Sequence, residues 1–543
     1  EALKRWNVGV WERWNVGVWE RWSKEYMQMR RKFNTAGPCR PDYNYMLPAL
    51  ARLPQVRQLI DDQLYFVLHA PRQTGKTTAL LTLAQELTAS GEYTAVLVSM
   101  ETGAPFSDDP SLAEQYILKD WRLTVEWQLP PDLHPPLWNE RQTIGEALQQ
   151  WSLASDRPLV VFLDEIDALQ DSTLVSVLRQ LRLGYMGRPT HFPWSLALIG
   201  MRDVRDYKVA AGGSERLRSS SPFNIKTESL TLRNFTHEEV ATLYGQHTAA
   251  TGQVFTEEAV AQAFELTQGQ PWLVNALARQ MVEVLVPDVA EPITRSHVDE
   301  AKEILIQRQD THLDSLAERL REPRVRRIIE PMLVGSFLGD VAQDDIQFVL
   351  DLGLCRRDRS GGLLIANPIY QEVIPRVLAD NAQLSLTSLS PTWLTPDGTL
   401  DMDRLLDAFV RFWRQHGEVL QQSVPYAESA PHLVLMAFLH RVVNAGGTIE
   451  REYAIGSGRM DICVRYGEMV LGIEVKTWRE SDHKSDPQDE GLQQLDRYLS
   501  GLGLETGWLV LFDQRSDLPP IAERTTVAEA TTPAGRQVAV IRG

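Results

Sequence analysis

At 543 residues the chain is too long for one hydrophobic core, and with 43% hydrophobic and 23% charged residues its composition is that of ordinary globular domains. A formal net charge of −17 excludes a surface that is basic throughout, so nucleic acid would have to be met by local patches or through a bound cation. Cys39, Cys355 and Cys463 are too scattered for a disulfide framework or a zinc spacing, and no apolar run is long enough to span a bilayer.

Residues 1–28 form a Trp-rich extension. Arg5 to Glu12 (RWNVGVWE) recurs as Arg13 to Glu20, and Arg21-Trp22 opens a third copy. Two copies and a fragment are too few for a solenoid, and the period suits neither a helix nor a heptad. We read the repeat as an atypical extension rather than a docking segment. The N-terminus also lacks the charge-then-apolar pattern of a signal peptide, which predicts a cytoplasmic protein with no membrane partner.

From residue 29 to 235, five apolar runs alternate with helical stretches: 65–70, 94–100, 159–163, 194–200 and 223–232. This predicts a doubly wound parallel sheet. Ala70-Pro71-Arg72-Gln73-Thr74-Gly75-Lys76-Thr77, followed by Thr78, leaves the first run and opens a helix. That is the context of a phosphate-binding loop, with Ala70 where glycine is usual. Backbone N–H groups would wrap phosphates, Lys76 would reach the terminal oxygens, and Thr77 would ligate magnesium. The run 159–163 ends in Asp164-Glu165, which puts Asp164 in the metal shell and Glu165 beside an attacking water. Residues 236–310 are helical throughout and read as a lid, and 311–380 as a winged helix. Residues 381–403, rich in Ser, Thr and Pro, read as a linker.

Residues 404–543 read as a compact α+β domain. Met460 to Arg465 and Val470 to Lys476 form a hairpin if Gly467-Glu468 is its turn, and glycine in first place suits a type II′ turn. Asp461 then lies opposite Glu474. Alternation sends Ile462, Ile473, Val464 and Leu471 to a core and carries Asp461, Glu474 and Lys476 on the other face. Two carboxylates facing across a ladder repel unless a divalent cation lies between them. Gln494 and Tyr498 share a face of the following helix, one turn apart.

The first constellation resembles the additional-strand class of P-loop ATPases, through the run 94–100 between the two motifs and the glutamate after Asp164. Gly269-Gln270-Pro271 in the lid resembles the Gly-x-Pro motif of STAND and archaeal-type ATPases. The resemblance implies ATP and magnesium as cofactors, Pro271 against the adenine and Arg202 near the γ-phosphate. Arg216 and Arg218 could reach a neighbour in a homo-oligomer or simply face water. Gly458-Arg459-Met460-Asp461, Glu474-Val475-Lys476 and Gln494-Leu-Asp-Arg-Tyr498 resemble the PD-(D/E)xK nuclease superfamily. That resemblance implies Mg2+ on Asp461, Glu474 and the Val475 carbonyl, with Lys476 at the reacting phosphate. Glu428 matches the optional N-terminal glutamate, with Glu450 and Glu452 as unresolved alternatives on the preceding strand. Arg319, Arg321, Arg324, Arg326 and Arg327, with Arg356, Arg357 and Arg359 on the wing, could bind phosphates or form surface ion pairs. The expected fold is multidomain α/β: a P-loop NTPase sheet with helical lid and winged helix, then a restriction-endonuclease-like domain. The expected function is an ATP-controlled, magnesium-dependent DNA nuclease, of a kind suited to defence or mobile-element biology. The alternative is a STAND-like switch whose nuclease fold binds DNA or a partner without cutting.

Overall fold

The structure, a computed structural model, describes residues 31–139, 141–201, 225, 228–308, 316, 318–333, 341–358, 361–374, 377, 393–395, 399–423, 430–443, 447–454, 459–478 and 486–543. The Trp-rich repeat, Arg202, Arg216, Arg218, Arg359, Glu428 and Gly458 lie outside the described residues. The chain divides into two compact units, one ending at Leu305 and one running from Ile306 to Gly543. Among the described residues no helix is long and apolar enough to cross a membrane.

The first unit is built on β1 (Tyr65–His69), β2 (Thr94–Ser99), β3 (Leu159–Asp164), β4 (Ser195–Gly200) and β5 (Glu228–Thr231). They form one parallel sheet in the order β2-β3-β4-β1-β5. The central strands read as unbroken apolar runs because helices cover both faces. Tyr65 and Val67 join one core with Trp121 and Val161, while Phe66 and Leu68 join the other with Leu80 and Phe162. The run 94–100 stands between the two motifs in sequence, yet β2 is an edge strand. The strand that separates β1 from β3 in space is β4. Of the expected run 223–232, the described strand is the short edge β5, and its residues are partly exposed.

Helices follow at His237–Thr251, Glu257–Thr267, Pro271–Gln280 and Arg295–Arg308. Thr236 and Glu239 close a capping box on the first, and Gln270 caps the third, whose first residue is Pro271. Gly269 sits at φ +70°, and a Cβ there would lie 1.9 Å from the Phe235 carbonyl oxygen, so only glycine fits. In return the Phe235 N–H donates to the Gly269 carbonyl at 2.8 Å. Ahead of the sheet, residues 31–47 form a strap. Its Phe33 and Tyr45 are both 2% exposed and pack with Tyr244, His247 and Phe255 of the helical part.

The second unit begins with helices Pro323–Leu333 and Gln343–Asp351 and a hairpin of β6 (Cys355–Arg357) with β7 (Leu363–Ile365). Part of the basic cluster is already paired. Arg324 lies 2.9 Å from Asp345 and stacks on Phe348, and Arg319 lies 2.6 Å from Glu322. The six-stranded sheet that follows uses β8 (Gly447–Ala454), β9 (Arg459–Tyr466), β10 (Met469–Trp478), β11 (Gly507–Asp513), β12 (Thr526–Thr531) and β13 (Gln537–Arg542). Their order is β12-β13-β11-β10-β9-β8. β10, β11 and β13 run parallel, and the remaining pairs are antiparallel.

The parallel step from β10 to β11 is made through helix Gln488–Leu502, whose Leu495 and Leu499 pack with Leu509, Leu511 and Val540. On the opposite face, helix Met402–Ser423 lays Phe409 on Trp508 and Trp413 on Phe512. Trp393, within the stretch expected to be a linker, is 3% exposed and packs against Phe438. That end of the stretch belongs to the fold. Both faces of the sheet are therefore covered, the Glu474 face by helix Gln488–Leu502.

Candidate functional site

In the first unit the two motifs meet at the carboxyl ends of β1 and β3, where an open α/β sheet offers its crevice. Gln73 at φ +59° and Gly75 at φ +88° turn the loop before helix Lys76–Ala89 enters, with its first-turn N–H groups free of intrahelical partners. Thr77 Oγ1 donates to Asp164 Oδ2 at 2.8 Å, so the expected metal ligands are in direct contact. This pairing of a hydroxyl with a carboxylate supplies hard oxygen donors, the set that suits Mg2+. Lys76 Nζ donates to the Ala70 and Pro71 carbonyls at 2.7 and 2.8 Å. Burial pushes its ammonium down to about 8, against the pull of Asp164. Burial likewise raises the Asp164 carboxyl, and the Thr77 bond opposes that shift.

Glu165 stands at φ +57°, and its carboxylate accepts from Ser99 Oγ at 2.8 Å. Burial raises this carboxyl too, with the Ser99 bond working the other way. β2 and β3 are in register at Ser99 and Asp164, which is how an edge strand brings a hydroxyl to Glu165.

A cavity of about 390 Å³ opens above the loop, within the range usual for small-molecule sites. It is lined by residues 73–78 and Glu165 and by the apolar side chains of Met46, Leu47, Phe235, Leu243 and Pro271. Pro71, Arg72 and Asp164 are not among the residues that line the cavity, whereas Pro271 is.

Three contributors carried no motif in the sequence. The strap walls the cavity with residues 34–39: the Cys39 N–H donates to Thr78 Oγ1 at 3.0 Å, and Trp272 Nε1 donates to the Thr35 carbonyl at 2.9 Å. Arg52 donates to the Thr74 and Arg233 carbonyls at 3.0 Å each and stacks on Phe235, and burial lowers its guanidinium to about 10. Asn275, one turn beyond Pro271, also lines the cavity.

In the second unit the hairpin has the expected register. Ile473 pairs with Ile462, Leu471 with Val464 and Glu474 with Asp461. Gly467 takes φ +57°, and Glu468 is not left-handed, as a type II′ turn requires. β8 extends the row, because Glu452 pairs with Asp461 while Glu450 pairs with Cys463. Three acidic residues, Glu452, Asp461 and Glu474, thus follow one another across three strands. The description of Glu452 and Asp461 stops at their backbones.

Glu474 is 0% exposed, with Lys476 Nζ 2.9 Å from its Oε1. That contact is an ion pair without hydrogen-bond alignment, and neither carboxylate oxygen accepts a hydrogen bond among the described residues. Helix Gln488–Leu502 lies directly over this face. A Cβ at Gly472 would come within 3.4 Å of the Tyr498 ring, and one at Gly491 within 3.4 Å of Lys476 Cγ. Gln494 is buried: its Nε2 donates to Glu490 at 2.8 Å, and its Oε1 has no hydrogen-bond partner among the described residues. Val475 points into the opposite core, 4% exposed. Orphaned acceptor oxygens in a buried site are where a cation or ordered water is expected, and acceptor-only carboxylate oxygens suit Mg2+. Among the described residues no three His, Cys, Asp or Glu side chains cluster closely enough to hold a metal.

The strand order, the loop between β1 and its helix, and the Thr77–Asp164 contact together define a P-loop NTPase fold in the first unit. No family model and no curated protein matches the chain. Solved structures that resemble it include a Walker-type ATPase of Pyrococcus abyssi, at 12% identity and TM-score 0.45 over 64% of this chain and 99% of that one. The Aeropyrum pernix ORC2 protein matches at 15% identity and TM-score 0.37, over 65% and 99%. The Thermotoga maritima RuvB Holliday junction branch migration motor matches at 15% identity and TM-score 0.33, over 59% and 94%.

Proposed function

We propose that the first unit binds and hydrolyses ATP with Mg2+, and that its nucleotide state controls a magnesium-dependent DNA phosphodiesterase in the second unit. The observation that carries the ATPase reading is the 2.8 Å contact of Thr77 with Asp164, with Thr77 and Lys76 lining a cavity that has both polar and apolar walls. Mg2+ held by Thr77 and Asp164 would neutralise phosphate charge. Lys76 would bind the terminal phosphates, and Glu165 would orient water once released from Ser99. Arg202, after β4, would sense the γ-phosphate, and any homo-oligomer would form around this unit.

The phosphodiesterase reading rests on the Glu452-Asp461-Glu474 row and the orphaned oxygens of Glu474 beside Lys476. Mg2+ on Asp461, Glu474 and the Val475 carbonyl would supply an activated water and polarise the phosphate. Lys476 would stabilise the developing charge, and Gln494 and Tyr498 would hold the site from above. Such nucleotide gating of a DNA-cutting domain suits defence or mobile-element biology in the cytoplasm.

A second reading has its own support. Glu474 is fully buried and ion-paired, as in a fold that binds DNA or a partner without cutting it. Wild type, Lys76→Ala and Lys476→Ala proteins, incubated with Mg2+ on linear, circular and single-stranded DNA with and without ATP, separate the two. Cutting by wild type, lost in Lys476→Ala and uncoupled from ATP in Lys76→Ala, supports the nuclease. If wild type cuts nothing under any condition, the binding reading stands in its place.

A further inference from the structure

Helix Pro110–Gln128, which follows β2, is locked on one face and bare on the other. Asp109 caps it, accepting from the Leu112 N–H at 3.1 Å, and Pro110 is its first residue. Its inner face buries Ile117, Leu118, Trp121 and Val125 in the same core as Tyr65 and Val67. Two side chains also fix its rotation. Trp121 Nε1 donates to the Ser99 carbonyl at 2.8 Å, and Gln128 grips Leu97 twice, accepting from its N–H at 3.0 Å and donating to its carbonyl at 2.6 Å. Thr88 Oγ1 serves Ala95 in the same way, at 3.0 and 3.1 Å. These bonds occupy the outer edge of β2, so an approaching protein finds no strand to extend there. They also keep the helix from rolling its outer residues inward.

That outer face is apolar. Tyr116, Leu123 and Trp127 are 48, 59 and 63% exposed, and Tyr116 stacks on Phe106. Their spacings of seven and four put them on one stripe, about 16 Å long. Lys119 and Glu126, both exposed, flank the stripe on one side, and half-buried Asp120 edges the other. Lys119 and Glu126 are two turns apart, about 10 Å along the axis, so they cannot pair within their own helix. Reversing the helix exchanges the two charges, which makes the row complementary to itself. In an antiparallel pair, Lys119 of each copy meets Glu126 of the other, Trp127 lies beside Tyr116, and Leu123 falls near the axis.

We propose that this face is a contact between two copies of the chain, related by a two-fold axis with their Pro110–Gln128 helices antiparallel. The stripe supplies the apolar contact and the flanking charges set its direction. Its short length makes a weak, concentration-dependent dimer rather than a permanent one.

Sedimentation velocity on the whole chain tests this. Wild type is expected to pass from monomer to dimer as its concentration rises toward about 100 μM, and Trp127→Glu to stay monomeric over the same range. Lys119→Glu is expected to weaken the dimer about tenfold, because the two-fold axis doubles the reversed contact. Combining Lys119→Glu with Glu126→Lys is expected to restore it. All three positions are exposed, so the core is untouched by these changes. A wild type that stays monomeric at every concentration overturns the inference and leaves the face to a different protein. A dimer that Trp127→Glu leaves intact overturns it as well, since the contact then lies elsewhere. So does a double variant that associates no better than Lys119→Glu alone.

Discussion

Lys76 spends its ammonium on two carbonyls at the strand end, in surroundings that hold its pKa near 8 instead of the ordinary 10.5. A lysine depressed by burial binds its proton less well folded than unfolded, so between pH 8 and 10.5 the unfolded chain carries more protons and stability rises with pH. Lys76→Met protein without nucleotide should therefore be more stable than wild type at pH 7, by up to about 3 kcal/mol, with the advantage shrinking toward pH 10.5. Urea midpoints of both proteins across that range decide it, and equal midpoints at every pH would refute the burial argument. Lys76, Thr77 and Asp164 were legible in sequence because each belongs to a short motif fixed by local backbone geometry. Arg52 and Ser99 were not, since each matters through a partner distant in sequence.

Among elements, the hairpin of β9 and β10 was the most readable, because period-2 alternation and a Gly-Glu turn leave a single register that keeps Ile462, Val464, Leu471 and Ile473 inside. What alternation cannot state is how many of a sheet's faces are covered. Helix Gln488–Leu502 closes over Glu474 because Gly472, Gly491 and Gly507 leave room for it: a Cβ on them would come within 2.8, 2.6 and 2.7 Å of neighbouring atoms. Gly491→Val should lift that helix off Leu509 and Lys476, costing about 1–3 kcal/mol. Chemical denaturation measures the loss, and an unchanged midpoint would mean the helix seats elsewhere. The strap shows the same limit from the other side. Residues 34–39 have no period or motif, yet they wall the cavity through single bonds to Thr78 and Trp272.

At the scale of the whole molecule, the chain holds two units with separate hydrophobic cores. A ligand that binds one native unit and not its unfolded form raises only that unit's transition, by about 2.7 kcal/mol at a hundred times its dissociation constant. Calorimetry with ADP and magnesium should therefore shift one of two transitions and leave the other in place. A single transition that moves as a whole would mean that the units unfold together. The ion pair inside the second unit carries a further consequence. Any cation approaching Glu474 meets an ammonium already seated 2.9 Å from the same oxygen, and like charges at that range compete. Were the proposed site to take magnesium, a dilute supply would leave the lysine in possession and a richer one would evict it, so the ion would work as a threshold.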